Sequence, residues 1–190
     1  MKRLALLCGA MLVFAGVASA QDSPKVEAFG GYSFVHVSDQ GQTANLNGGS
    51  GSLDYNLTPM FGIVGDFGGY HWSQKGVSAN VISYLFGPKI ALRHGPITPF
   101  AQVLFGGARL SGIVFNPCPS ARVHPEASTC STSASENAFA LAVGGGLDWN
   151  ATAHIGIRLV QAEYLMTKFK DGVNDRQNNA RVSTGVVFRW

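Results

Sequence analysis

Residues Ala138–Trp149 read AFALAVGGGLDW. Phe139, Leu141, Val143, Leu147 and Trp149 fall on one side of an extended chain. Ala138, Ala140, Ala142, Gly144, Gly146 and Asp148 fall on the other. A period of two is the signature of a β-strand. A strand of a soluble sandwich turns its apolar face to a core and carries long solvated side chains on the other face. Here the second face is almost all glycine and alanine. That suits the cramped interior of a small closed barrel whose bulky face meets lipid.

The same pattern extends outward along the chain. At the C-terminus, Val182, Thr184, Val186, Phe188 and Trp190 alternate with Arg181, Ser183, Gly185, Val187 and Arg189. Eight such segments are expected, at Lys25–Val37, Leu46–Leu57, Met60–Trp72, Val81–Leu92, Pro99–Leu110, Ala138–Trp149, His154–Thr167 and Ala180–Trp190. Their connections alternate between tight turns (Thr58-Pro59, Arg93–Thr98, Asn150–Ala153) and long polar loops (Val37–Asn45, Ser73–Asn80, Ser111–Asn137, Lys168–Asn179). The expected fold is all-β, an eight-stranded antiparallel up-and-down transmembrane β-barrel, with short turns and both termini on the periplasmic side.

Composition agrees with this reading. Of 190 residues, 46% are hydrophobic, 24 are glycine and only 13% are charged, against roughly 25% charged in ordinary domains. Residues 1–20 read as a cleaved secretory signal peptide: Lys2-Arg3, an apolar stretch from Leu4 to Val17, then Ala18-Ser19-Ala20. The expected mature domain is 21–190. Loss of Lys2 and Arg3 lowers the formal charge from +3 to +1, so no nucleic-acid partner is expected. Cys118 and Cys130 remain, and an isolated pair in an exported chain is expected to form a disulfide.

Several ionisable residues fall on the small-residue faces: Glu27, Asp66, Lys89, Asp148, Arg158, Arg181 and Arg189, with Ser33 and Gln102. An eight-stranded barrel is just wide enough to be filled by side chains. Buried charges must pair, so a lumen charge network is expected. The seventh segment breaks phase. With Ile155, Ile157 and Leu159 toward lipid, strict alternation also puts Gln161 and Glu163 there. A β-bulge near Val160 would return both to the lumen and is the favoured reading; the alternative is that Glu163 lies above the hydrocarbon zone and needs no bulge. Tyr32, Phe34, Phe61, Tyr70, Trp72, Tyr84, Phe100, Trp149, Tyr164, Phe188 and Trp190 are expected to form interfacial aromatic girdles. His36, His71, His94, His124 and His154 have no metal-ligand spacing, and no nucleophile or phosphate-loop motif appears. No cofactor is expected.

Val26–Ser33, Leu53–Pro59 with Gly65–Gly69, Leu85–Lys89, Pro99–Ala101 with Phe105–Ala108, and Ile157–Tyr164 follow one another in an order that resembles the bacterial outer-membrane β-barrel family related to the OmpA transmembrane domain. The ending also resembles that family: a terminal aromatic, Trp190, with Phe188 and Val186 at alternate positions. In the family this is the signal read by the barrel-assembly machinery. The resemblance implies an outer-membrane location among lipid and lipopolysaccharide, a monomer, and a structural or surface-interaction role through the extracellular loops. Ser111–Asn137 is the expected contact surface. Three alternatives are weighed: a lipid A-modifying enzyme using His71 and Ser73, a small-solute channel, and a soluble periplasmic barrel holding an apolar ligand.

Overall fold

The computed structural model describes residues 24–39, 42–74, 77–93, 95–116, 130–168 and 177–190. Eight strands run in chain order: β1 (Val26–Asp39), β2 (Gln42–Asn56), β3 (Phe61–Gln74), β4 (Val77–Ala91), β5 (Ile97–Asn116), β6 (Cys130–Asn150), β7 (Ile155–Lys168) and β8 (Gln177–Arg189). Each pairs antiparallel with its neighbour, and β8 returns to pair with β1, closing the barrel. Reciprocal backbone bonds between Val26 and Trp190, at 3.1 and 2.9 Å, complete that seam at its short-turn end.

The expected alternation governs which side chains face lipid. Leu53, Phe67, Phe86, Phe139, Val182 and Trp190 are exposed, while their chain neighbours Asp54, Asp66, Leu85, Ala138, Arg181 and Arg189 are buried. The periplasmic turns are held by side-chain hydroxyls. Thr58 Oγ1 accepts from the Phe61 amide at 2.9 Å, and Thr152 Oγ1 accepts from the Ile155 amide at 2.9 Å. Gly95, at φ 76°, supplies the left-handed residue of the β4–β5 turn.

The expected long loops Val37–Asn45 and Ser73–Asn80 are mostly paired strand, because β1 runs to Asp39, β2 starts at Gln42, β3 runs to Gln74 and β4 starts at Val77. Three further details differ from the sequence reading. First, β5 and β6 are 20 and 21 residues long against 13 to 15 for the others. Residues 111–116 and 130–137, expected in a loop, continue the ladder to the Asn116–Cys130 pair. Residues 130–137 read as a loop because they are polar, and 111–116 because Ile113-Val114-Phe115 does not alternate. A strand that has left the bilayer, however, needs no apolar face to keep its hydrogen-bond register.

Second, the aromatic girdle is smaller than expected. Tyr70 and Phe100 are buried in the lumen, and Trp72 packs with Val35, Leu46 and Tyr70 inside. Tyr70 and Trp72 share the inward phase of Gly68, and Phe100 shares that of Gln102, rather than that of the lipid-facing set.

Third, the β7 irregularity takes a definite form. Leu159 and Val160 are consecutively exposed, and Gln161 and Glu163 are buried. Three steps from Arg158 to Gln161 on β7 match two from Gly185 to Ser183 on β8. The Arg158 carbonyl at this point accepts the Thr184 hydroxyl at 2.9 Å. Opposite, a Cβ on Gly144 or Gly146 would collide with the backbone of β7, so only glycine fits there. Cys118 and residues 1–20 lie outside the described residues.

Deleting Leu159 leaves Arg158 and Gln161 on the lumen side of a regular strand. The variant is expected to fold, with heat-modifiable gel migration intact. Deleting Ala162 instead breaks the phase between Gln161 and Glu163, and is expected to abolish that migration.

Candidate functional site

The lumen holds the chain's buried charge. Among the described residues, five carboxylates (Glu27, Asp54, Asp66, Asp148, Glu163) meet five cations (Lys89, Arg93, Arg158, Arg181, Arg189) in ion pairs. Formal charge therefore balances inside the barrel. That balance is what a low-dielectric enclosure demands, because an unpaired buried ion costs several kcal/mol.

At the periplasmic end, Glu27 is the hub. It receives Arg189 Nε at 3.1 Å and lies 3.3 Å from Arg93 Nη2 and 3.5 Å from Lys89 Nζ. Lys89 also bonds Asp54. Asp148 takes Arg158 through Nε at 2.8 Å and Nη2 at 3.2 Å, a two-point grip that fixes the guanidinium plane. The same guanidinium stacks between Phe29 and Phe100, at 4.3 and 4.4 Å from their ring centroids. This explains why two aromatics turn inward.

Midway up, Arg181 is the second hub. It pairs with Asp66 at 2.6 Å and Glu163 at 2.6 Å, and donates to the Tyr70 hydroxyl at 3.3 Å. Gln161 joins the two hubs, accepting from Arg158 at 2.7 Å and donating to Glu163 at 2.8 Å. Gln102 donates to Glu163 at 2.8 Å. Gln161 and Glu163 can take these places because the β7 bulge turns them inward.

Beside the network part of the lumen is apolar. Val64, Leu85, Leu104 and Leu165 pack against Ala138, Ala140 and Ala142. Beyond them lies a cavity of about 50 Å³ bordered by Val35, Leu46, Tyr70 and Val81. Glu27, Asp66, Lys89, Asp148, Arg158, Glu163, Arg181 and Arg189 thus lie in one connected lumen. Asp54 and Arg93 join them, although the sequence reading passed over both. The Leu53-Asp54-Tyr55 alternation carried the signal for Asp54: a carboxylate between two lipid-facing side chains must point inward. Arg93 sits past the end of β4, where no periodicity reaches it.

His71 and Ser73 lie outside the lumen. Both face outward on β3. His71 Nδ1 bonds Asn80 Oδ1 at 2.7 Å, so an amide occupies the place where a supporting carboxylate would be needed. Among the described residues, no group of three or more His, Cys, Asp or Glu could hold a metal ion.

No curated protein matches the chain. The attachment invasion locus protein Ail of Yersinia pestis superposes with a TM-score of 0.63 at 16% identity, over 88% of this chain and 99% of that one. A second Ail structure, in complex with the heparin analogue sucrose octasulfate, gives 0.62 at 16% identity over 88% and 99%. Neisserial surface protein A gives 0.67 at 11% identity, over 90% of this chain and 100% of that one. At such identities the likeness is one of fold. Residues 5–189 match the family described as outer membrane protein beta-barrel domain. The closed ladder of eight strands, the apolar outer wall and a family match over nearly the whole length lead to one conclusion: the chain belongs to the outer membrane protein β-barrel domain family.

Proposed function

We propose that the protein is a non-enzymatic, non-conducting barrel of the outer membrane that displays its β5–β6 hairpin as a contact surface. The hairpin carries the reading. Its strands exceed the other six by at least five residues, which at about 3.3 Å per residue adds roughly 15 Å or more of paired strand. The extra length lies on the loop side, since short connections fix the other ends at Ile97 and Asn150. A β-ladder that continues past the bilayer gives a partner a firmer platform than an irregular loop. A Cys118–Cys130 disulfide would brace its tip.

The rest of the reading follows from the family and the wall. The chain would be exported by a signal peptide ending at Ala20. The assembly machinery would recognise Val186, Phe188 and Trp190. The barrel would then stand as a monomer among lipid and lipopolysaccharide. The lumen would play a structural part: its paired charges and the apolar cluster beside them support a closed interior. In planar bilayers the purified barrel is expected to give no stable nanosiemens-scale openings. Large, steady openings would refute the closed lumen.

The pairing also sets stability. Arg181→Met strands Asp66 and Glu163 without their shared cation, a loss expected to cost about 3–5 kcal/mol. A lower urea midpoint for the gel-shifted form measures it. A midpoint equal to wild type would show that Arg181 is not a hub.

Two rival readings have direct tests. A soluble ligand-binding barrel would be folded and monodisperse without detergent, and this chain is expected to aggregate under those conditions. A lipid A-modifying enzyme would shift lipid A masses when expressed. With Asn80 behind His71, no mass shift is expected.

A further inference from the structure

The cavity of about 50 Å³ lies at the loop end of the lumen, where β1, β3 and β7 run out toward their connections and β2, β4 and β8 return from them. Val35, Leu46, Val81 and Leu165 give it aliphatic walls, and Ala108 adds a small side chain from β5. Half-buried Val37 and Gln177 border it nearest the strand ends. Tyr70 borders it too and reaches the ion pairs beyond. Its hydroxyl accepts from Arg181 at 3.3 Å and lies 3.4 Å from Ser33 Oγ. The ring therefore stands between the charged part of the lumen and a cavity whose lining carries no charge.

Two polar side chains that line this cavity each hold a buried atom with no hydrogen-bond partner among the described residues: Ser83 Oγ and Asn179 Oδ1. Ser83 is 0% exposed and Asn179 5%. Asn179 Nδ2 is committed, donating to Thr167 Oγ1 at 3.3 Å, and that hydroxyl donates in turn to Gln177 Oε1 at 3.4 Å. Buried polar atoms are nearly always satisfied, so these two define what the cavity can take. An amide oxygen only accepts, and its partner must donate; a serine hydroxyl does either. An ion would lose its hydration here and find no counter-charge on the walls. A ketone or an alkane would leave Asn179 unmet. Water needs two to four polar partners, which mostly aliphatic walls supply poorly. A compact alcohol meets the walls with carbon and the polar atoms with its hydroxyl.

We propose that this cavity is a binding site for a small neutral alcohol, entered from the loop end of the barrel. The ligand's hydroxyl donates to Asn179 Oδ1 and can accept from Ser83 Oγ, and its alkyl part packs on Val35, Leu46, Val81 and Leu165. At roughly 10–15 Å³ for each water-sized group, the space admits about four heavy atoms, the size of propan-2-ol. A ligand that small binds at about millimolar concentration. The site is separate from the β5–β6 contact surface and from the ion-pair network, and it requires no path through the lumen.

The test is a titration of the full-length barrel in detergent micelles with propan-2-ol and with acetone, which has the same carbon skeleton and no donor. Methyl resonances of Leu46, Val81 and Leu165 report the cavity by NMR. Those of Val103 and Val182, exposed on the outer wall, report solvent and micelle effects. Propan-2-ol is expected to shift the cavity methyls saturably and the outer methyls only linearly. Acetone should bind about tenfold more weakly, because it cannot donate to Asn179. Asn179→Leu should bring the two ligands to equal affinity. Ala108→Leu fills the cavity and should abolish saturable shifts; Val81→Phe, at a half-buried position on the same wall, is the second blocking variant. Each variant is read on barrels that keep heat-modifiable migration. A wild type without saturable cavity shifts, meaning that water alone occupies the space, would overturn the proposal. So would acetone binding as tightly as propan-2-ol to wild type, or a blocked barrel that binds as wild type does.

Discussion

The ladder between β1 and β8 is the contact on which the rest of the structure depends. Hydrocarbon offers no partner to a backbone amide or carbonyl, so a sheet can span it only without edges. Twelve register pairs from Glu27–Arg189 to Ser38–Asn178, with the Val26–Trp190 bonds beyond them, remove the two edges an open sheet would have. Closure at eight strands then fixes the diameter, and the diameter fixes what can lie inside. Glycine, alanine and serine fill many inward positions, which leaves room for the guanidinium groups and rings that occupy the centre.

Enclosure turns charge into a constraint. Arg158 is gripped by Asp148 and stacked between two rings, and Arg181 lies between two carboxylates. Neither could be left without its partners in a space this narrow. The β7 bulge belongs to the same logic. One extra lipid-facing residue brings Gln161 and Glu163 to the side where Arg158 and Arg181 need them. The outer wall obeys the opposite rule. It carries apolar side chains through most of its height.

Alternation made the fold legible in the sequence. The Ala138–Trp149 and Arg181–Trp190 patterns specify both the strand and its lipid-facing side, and the phase break in Ile155–Tyr164 marked the bulge. Periodicity was silent in three places. It could not separate a polar strand from a polar loop once β5 and β6 left the bilayer. It sorted aromatics by size rather than by phase, and so placed Tyr70, Trp72 and Phe100 outside. It also says nothing about which charges meet. Arg181 and Asp66 are 115 positions apart in the chain and become partners only through the closure of the barrel.

The central claim is that the barrel turns its apolar face outward and closes over a filled interior. Residues 182 and 183 test it as a pair, because Val182 faces lipid and Ser183, whose hydroxyl lies 2.8 Å from that of Ser33, is only 2% exposed. With Cys118 and Cys130 replaced by serine, Val182→Cys and Ser183→Cys would each be exposed to a lipid-soluble and to a water-soluble thiol reagent in proteoliposomes. The account predicts that the lipid-soluble reagent labels position 182 alone, and that the water-soluble reagent labels neither until the barrel is unfolded. Rapid labelling of position 183 in the folded protein by the water-soluble reagent would contradict it.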